Sequence, residues 1–237
     1  PVIGEIAPGA SLGAWAALVG AGAVAGLGLF AVLAGLVQLA VLPLVAIALV
    51  ACIVGLVGAK VYFLVQSPGE PSWASPGGMC IQGFVIGALA TLAAGAWLAD
   101  VPLLVMLDIA APAMLLGMAI GRLGCWKGGC CAGRLTAGRF AVWCSDRWIG
   151  GRRIPTQLME SALALLLSVV TTVLVIGSQA SDGVAAVLGL SAYILVRQFL
   201  LRLRSVPRSS ALRPMMTTAL SGIAVLVSVA LVIASMS

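Results

Sequence analysis

The residues of this chain that could do chemistry gather in one segment, residues 117–160. The segment is rich in glycine and carries many more basic than acidic side chains. Its charged residues are Arg122, Lys127, Arg134, Arg139, Arg147, Arg152 and Arg153 against Asp146 and Glu160. Arginine suits phosphate, because its planar guanidinium group can donate two parallel, charge-assisted hydrogen bonds. The segment therefore predicts a site for a phosphate group or an anionic lipid head group.

Some of the basic residues stand inside apolar or glycine-rich sequence, notably Arg122 and Arg197. A cation within a membrane span is costly and usually faces a cavity or a partner. Lys60 lies in another apolar run and Arg153 shortly precedes one, so a helix bundle would bring these charges to one side. For the later basic residues we predict a different role, as anchors that reach lipid head groups: Arg204, Arg208 and Arg213.

The segment also holds four of the six cysteines, Cys125, Cys130, Cys131 and Cys144. They could bind a soft metal, form a disulfide, react as thiolates, or only stabilise a tight loop. The spacing CxxxxCC is not a standard zinc pattern and the chain has no histidine, so we expect no metal and no other cofactor. The absence of histidine also excludes a histidine general base and a Ser-His-Asp triad. Packing is the simplest role for the cysteines in apolar runs, Cys52 and Cys80.

The rest of the chain is apolar enough to lie in lipid. It is 62% hydrophobic and 8% charged, whereas about a quarter of the residues are charged in a typical soluble domain. The apolar runs are long and continuous, which predicts an all-α integral membrane protein with a single transmembrane domain over residues 1–237. Seven spans of about 20 residues each are expected, at 12–33, 36–64, 79–99, 101–124, 156–176, 184–203 and 215–235. One longer polar loop, 125–155, contains a predicted short strand at 140–144.

Glycine pairs with the GxxxG spacing occur in several spans. The pair Gly22/Gly26 predicts close packing of two helices. The pairs at 83–87 and 117–121 lie nearer the polar segment, so their glycines could pack or could let a ligand approach the backbone.

A single acid, Asp108, lies in the middle of a span. It could pair with a cation of another helix, Lys60 or Arg197, or it could be a protonated acid bonded to backbone.

The motifs of this chain resemble those of the prolipoprotein diacylglyceryl transferases. The family signature, GR-[IL]-G-N-F-x-N-G-E-x-x-G, has its counterpart in IGRLGCWKGGCCAGR, and the motif RHPSQLYE has its counterpart in RRIPTQLMES. Two earlier motifs, GARLGYVLF and GGMSFHGGLIG, resemble VGAKVYFLV and GGMCIQGFVIG. A late arginine-bearing span resembles LSAYILVRQFLLR. The likeness runs from about Gly58 to Arg202, and the family also has seven spans.

The resemblance implies transfer of the diacylglyceryl group of phosphatidylglycerol to the thiol of a prolipoprotein cysteine, with release of glycerol phosphate. Preorganised arginines would stabilise the negative charge that develops on the leaving group. Residues carried over as catalytic are Arg122 and Arg153, which would hold the phosphate, and Glu160, which would orient an arginine or act as a base. Residues carried over as substrate-binding are Lys60, Tyr62, Gln82, Gly124, Cys125, Cys130, Gly133 and Arg197.

The chain departs from the family at polar positions of these motifs. The signature asparagine and glutamate are Cys125 and Cys130, and the two motif histidines are Gln82 and Ile154. A thiol-activating base is therefore missing, unless Glu160 or Tyr62 substitutes or the acceptor thiol ionises near the arginines. The alternative hypothesis is a non-enzymatic membrane protein that binds thiols, metal or lipid through the cluster from Cys125 to Cys131.

The expected partners are phosphatidylglycerol or another anionic phospholipid, a prolipoprotein or other thiol acceptor, and the membrane itself. The net charge of +6 comes mostly from a segment between spans, so we expect no nucleic acid. The resemblance implies the bacterial inner membrane. It places the basic face in the periplasm, whereas the positive-inside rule places it in the cytoplasm.

Overall fold

The computed structural model describes residues 12–66, 81–146, 149–178 and 183–205, with scattered positions between 219 and 233. Its helices in that part of the chain are α1 (Leu12–Leu36), α2 (Val41–Gln66), α3 (Ile81–Leu98), α4 (Leu103–Lys127), α5 (Thr156–Ser178) and α6 (Val184–Leu201). Two short strands, β1 (Val142–Asp146) and β2 (Ile149–Arg153), lie between α4 and α5. All six of these helices are long and apolar enough to cross a membrane. The prediction of an all-α, multi-pass membrane protein is confirmed.

Two of the predicted spans differ from the described helices or extend beyond them. The second helix begins at Val41 rather than at Leu36, because the chain turns at Gln38, whose φ of 60° is left-handed. The seventh predicted span, 215–235, lies mostly outside the described residues, although the described positions within it are helical.

Glycines bring the first four helices together in two antiparallel pairs. A methyl group on Gly22 of α1 would lie 2.7 Å from the carbonyl oxygen of Gly117 on α4, and one on Gly26 would lie 2.8 Å from that of Ala113. Gly83 of α3 meets Gly58 of α2 still more closely. Only residues without a side chain allow this approach. The packing role predicted for Gly22/Gly26 is confirmed.

The remaining helices pack on α4 through buried polar contacts. On α5, the Ser161 hydroxyl donates to the carbonyl of Ala119 at 2.6 Å, and the Ser168 hydroxyl donates to that of Pro112 at 2.8 Å. Asp108, 1% exposed, accepts hydrogen bonds from the backbone N–H groups of Gly183 and Ala186 at the start of α6, at 3.0 and 2.8 Å. The Asp108 carboxyl thus takes the place of an N-terminal cap for a neighbouring helix. Of the alternatives predicted for Asp108, these contacts fit bonding to backbone.

The antiparallel order places the apolar core and the polar segment at opposite ends of the bundle. The core lies where α1 ends and α4 begins, and includes Phe30, Leu33, Leu44, Met106, Ile109 and Val175. The other end collects the last turns of α2, α4 and α6 and the first turns of α3 and α5. This is the end that carries the predicted site residues.

A small backbone network organises the polar segment at that end. β1 and β2 pair antiparallel, with Val142 opposite Arg153. The predicted strand at 140–144 begins at Val142 instead, because the N–H of Ala141 bonds to Gly138 in a turn. Residues 132–136 lie between β2 and the chain that follows α6, and form backbone hydrogen bonds with both: Gly133 and Arg134 with Ile154, Thr136 with Arg152, Arg134 with Leu203, and Ala132 with Ser205.

Candidate active site

Glu160 forms the centre of the polar end. It lies in the second turn of α5 and its side chain is fully buried, with 0% exposed. Three arginines reach its carboxylate: Arg122 Nε lies 2.8 Å from Oε2, Arg197 Nη1 lies 3.4 Å from Oε2, and Arg204 Nη2 lies 2.7 Å from Oε1. The structure therefore brings together Arg122, Glu160 and Arg197, as predicted from the sequence.

The charges around Glu160 do not cancel. One carboxylate faces three guanidinium groups, which leaves a formal charge of +2 in this cluster. The side chains of Arg122, Arg197 and Arg204 are 14%, 19% and 14% exposed, so they are partly shielded from water without being sealed. An uncompensated cationic cluster at the end of a membrane bundle is suited to a phosphate group.

Arg153 is also buried, at the end of β2. Its Nη1 donates to the carbonyl of Gly133 at 3.3 Å. Within the described residues, Nε of Arg153 and Nε of Arg204 are buried N–H groups that have no hydrogen-bond acceptor. Such donors are costly unless something binds them, so both could donate to an anionic ligand.

Three cysteines converge beside the arginines. The Sγ atoms of Cys125, Cys130 and Cys131 all lie within 4.8 Å of one another, and all three side chains are half-buried. The backbone reaches this shape because Gly129 and Cys131 have left-handed φ angles of 65° and 62°. None of the described cysteines forms a disulfide.

The first turn of α5 fixes the backbone of this cysteine cluster. The amide of Gln157 donates to the carbonyl oxygen of Cys130 at 2.9 Å, and the hydroxyl of Thr156 donates to that of Cys131 at 3.1 Å. Both α5 residues are buried. The cysteine cluster is thus attached to the same helix that carries Glu160.

The thiols of this cluster differ in acidity. Hydrogen bonds from the neighbouring thiols of Cys125 and Cys130 lower the pKa of Cys131, and the cations of Arg204 and Arg122 lower it further. Hydrogen bonding with Cys125 and Cys131 together with burial raises the pKa of Cys130.

The predicted substrate-binding residues Lys60, Tyr62 and Gln82 belong to the α2/α3 pair, whereas the Glu160 cluster is formed by α4, α5, α6 and the residues after α6. Lys60 is buried, with its Nζ 5.9 Å from the centre of the Phe63 ring. Tyr62 is half-buried against Gly83, and Gln82 is exposed at the start of α3. All three lie at the same end of the bundle as Glu160, and their contact with substrate stays a prediction.

The two predicted glycines lie at close contacts within the fold. A methyl group on Gly124 would lie 3.2 Å from the carbonyl oxygen of Trp15 on α1, and one on Gly133 would collide with the carbonyl oxygen of Ile154. Each glycine therefore has a packing role. Whether either also contacts substrate stays a prediction.

Several residues of the site were not identified from the sequence. Arg204 was expected to anchor the chain to head groups, which is wrong, because it is paired with buried Glu160. Helical spacing could not have indicated this role, because α6 ends at Leu201 and Arg204 is held by backbone pairing with Gly133. Tyr193, whose hydroxyl accepts a hydrogen bond from Arg197 at 3.1 Å, and the α5 residues Thr156 and Gln157 were missed too.

A groove of about 650 Å³ opens beside the motif that follows β2. Its walls are mostly apolar, with Arg139 as the charged exception. One wall is formed by Ile154, Pro155 and Met159, which belong to the same motif as Arg153 and Glu160. The guanidinium group of Arg139 lies 4.5 Å from the centre of the Phe140 ring. Apolar walls with a cation at the rim are suited to a lipid.

Comparison with known families identifies the family of this chain. The family model of prolipoprotein diacylglyceryl transferase matches residues 1–236. The chain belongs to this family. Arg122 and Glu160, which belong to two of the motifs that suggested the family from the sequence, are in direct contact in the structure.

Two curated relatives in the family are similar to part of the chain. Phosphatidylglycerol–prolipoprotein diacylglyceryl transferase of Lactiplantibacillus plantarum is 32% identical over 126 residues, which covers 47% of this chain and 45% of the relative. The protein of the same name from Dehalococcoides mccartyi is 36% identical over 94 residues, or 38% of this chain and 36% of the relative. The chain matches less than half the length of either relative.

Proposed function

We propose that this protein transfers a diacylglyceryl group from phosphatidylglycerol to a thiol, such as that of a prolipoprotein cysteine. The observation that carries the proposal is the cluster of three arginines on one buried carboxylate. This cluster has a formal charge of +2 at the polar end of the bundle. Family membership supports the class of reaction. Residues 117–160 would form the active-site segment, within a single transmembrane domain in a bacterial inner membrane.

Diacylglyceryl transfer requires stabilisation of the negative charge on the leaving group. Attack of a thiolate on the glyceryl carbon breaks a carbon–oxygen bond, and the electron pair leaves on the oxygen of glycerol phosphate. Arg122 and Arg153 would hold this phosphate, and Arg197 would bind beside them. The acceptor-free Nε atoms of Arg153 and Arg204 support this assignment, because fixed donors stabilise developing charge without reorganisation.

The apolar groove supports a lipid substrate. Its walls continue from the motif that carries Arg153 and Glu160. We propose that an acyl chain lies against Ile154 and Met159 while the head group faces the arginines. Burial of apolar surface would then hold the substrate, and charge–charge contacts would orient its phosphate.

Glu160 would act as a positioning residue. A general base must come within hydrogen-bond reach of the proton that it takes. The Glu160 carboxylate is fully buried and contacts Arg122, Arg197 and Arg204, so its oxygens face the arginines rather than an incoming thiol. We therefore favour the role of fixing the arginines over that of a base.

A transfer assay tests this proposal. Purified protein would receive phosphatidylglycerol labelled in its diacylglyceryl part, together with a lipobox peptide. We expect label on the peptide cysteine, and loss of that label in Arg122→Ala and Arg153→Ala. A peptide with serine in place of the cysteine is the matched control.

Two other outcomes would redirect the proposal. Label that appears only when a total membrane extract replaces the peptide would retain the lipid chemistry and point to another acceptor. Bound but unchanged phospholipid, with no transfer to either acceptor, would favour a non-enzymatic lipid-binding protein.

A further inference from the structure

The three clustered cysteines form a triangle of the size that one metal ion requires. With a Zn–S bond of about 2.3 Å, three sulfurs around one ion lie roughly 3.8–4.0 Å apart. In the protein the Sγ atoms of Cys125, Cys130 and Cys131 all lie within 4.8 Å of one another, so shifts of less than about 1 Å would close the site. The spacing of the cysteines in the sequence had argued against a metal, but it does not describe the folded loop.

The loop that holds these sulfurs is preorganised. Gln157 and Thr156 donate to the carbonyl oxygens of Cys130 and Cys131, and both donors are buried in the first turn of α5. A metal site is strengthened when neighbouring hydrogen bonds fix its ligands in place. The cysteine cluster therefore has its supporting contacts in the described structure.

Charge and ligand type indicate a thiophilic divalent ion. Three thiolates around such an ion would carry a net charge of about −1, and the three arginines on Glu160 supply an excess of positive charge at the same end of α5. Thiolates select soft or borderline ions such as Zn²⁺ over Mg²⁺ and Ca²⁺. Among the acids and cysteines of the described part of the chain, these three converge without a fourth ligand.

We propose that Cys125, Cys130 and Cys131 bind one divalent cation of the zinc type, and that its remaining coordination position takes the acceptor thiol. This inference rests on the proposed transfer function. Zinc sites that perform chemistry keep one position open, whereas structural sites are closed by four protein ligands.

Such a site would activate the acceptor thiol in place of the base that the family motifs lack in this chain. A thiol that coordinates a divalent ion gives up its proton, which would pass to solvent. The resulting thiolate forms the new sulfur–carbon bond, the glyceryl carbon–oxygen bond breaks, and glycerol phosphate leaves with the electron pair. The arginines around Glu160 would hold the phosphate next to the sulfur that attacks.

Cobalt binding to the full-length protein tests the site directly. Protein purified in detergent under reducing conditions and freed of metal would be titrated with Co²⁺ and then with Zn²⁺. We expect one ion per chain with a thiolate-to-cobalt charge-transfer band that Zn²⁺ removes. Cys130→Ser and Cys125→Ser should lose the band. Cys52→Ser should keep it, because Cys52 lies in α2 and is not part of the cysteine cluster. Circular dichroism would show whether each variant is folded. Absence of the band in the wild-type protein, or its persistence in the folded Cys130→Ser variant, would overturn the inference.

The acceptor thiol provides a second measurement. A lipobox peptide should change the visible bands of the cobalt protein, and its Cys→Ser counterpart should not; equal effects of the two peptides would overturn the coordination of the acceptor. In the transfer assay, chelation should abolish label transfer and Zn²⁺ should restore it. Transfer by the metal-free protein would reject the metal inference and leave the proposed function standing. A bound ion that responds to the peptide, without any transfer, would support the site and contradict the proposed function.

Discussion

Arg204 Nη2 lies 2.7 Å from Oε1 of Glu160, although 44 residues separate the two in the chain. The contact depends on the backbone network of the polar segment, in which Gly133 pairs with Arg204 beyond the end of α6. A residue that follows a helix is thereby held inside the arginine cluster. Its role is set by long-range pairing rather than by its position in the basic stretch that follows α6.

Removal of the Arg204 side chain should reduce transfer far more than removal of its neighbour. Arg204→Ala takes away one of three cations around Glu160 and one acceptor-free buried donor. Loss of one preorganised donor typically costs about 100-fold or more in rate, and we expect a loss of that order. Arg202→Ala is the matched control, because Arg202 is exposed and lies against the Phe199 ring. Similar rates for the two variants would return Arg204 to the role of a head-group anchor.

Neutralising Glu160 should destabilise the protein, and glycerol phosphate should partly restore its stability. Glu160→Gln leaves three guanidinium groups without their carboxylate, and breaking a buried ion pair typically costs about 3–5 kcal/mol. Thermal unfolding in detergent should show a clear decrease in Tm. Added glycerol phosphate should raise the Tm of the variant more than that of the wild type, because it replaces the missing negative charge. Potassium chloride at equal ionic strength controls for screening; equal stabilisation by the two salts would contradict a specific anion site.

The fold was predictable because its main signal is compositional. Of the seven predicted apolar spans, the six that lie in the described part of the chain are helices. The largest boundary error arose at Gln38, where a left-handed residue follows the preceding helix. No local pattern in the sequence predicts that a glutamine adopts a left-handed backbone conformation. Helix pairing through Gly22 and Gly26 was predictable as well, because small residues spaced four apart lie on one face of a helix.

The site was predictable where motif residues lie on helices, and less so in the loop. Arg122, Glu160 and Arg197 come from three helices whose ends meet, so a bundle is enough to bring them together. The triangle of cysteine sulfurs depends on left-handed angles at Gly129 and Cys131. The spacing CxxxxCC, which is not a standard zinc pattern, contains no information about such a turn and so could not predict that the three sulfurs meet.

Gly133 should tolerate no side chain. A methyl group there would collide with the carbonyl of Ile154 and displace residues 132–136, which position Arg153 and Arg204. Gly133→Ala should therefore lower both the Tm and the transfer rate. Gly28→Ala is the matched control, because a methyl group at this α1 position meets no atom within 4 Å, and alanine favours a helix over glycine by up to about 1 kcal/mol. An unchanged Tm for Gly133→Ala would show that the network is not as tight as described.

Asp108 should stabilise the start of α6. Its two carboxyl oxygens accept hydrogen bonds from the backbone N–H groups of Gly183 and Ala186. An asparagine amide offers only one acceptor oxygen, and its NH₂ group would face one of these backbone N–H groups. A buried donor left unsatisfied costs about 1–3 kcal/mol, so Asp108→Asn should lower the Tm measurably. Asp100→Asn is the control, because Asp100 is exposed and its left-handed φ of 52° is one that asparagine also adopts. Equal Tm values for the two variants would argue against a capping role.

Orientation in the membrane can be decided with two exposed positions at opposite ends of the bundle. Ala137 lies in the polar segment and Ala40 lies in the connection between α1 and α2, and both are exposed. The native thiols make poorer probes, since Cys144 is buried and Cys130 is half-buried.

With the basic end in the periplasm, a membrane-impermeant maleimide should label Ala137→Cys in intact cells and Ala40→Cys only after lysis. Wild-type protein measures the background from native thiols. We expect this pattern, because functional arginines that hold a phosphate can override the bias of positive charge toward the cytoplasm. The reverse pattern would place the arginine cluster on the cytoplasmic side, where it could not reach a prolipoprotein that has already been exported.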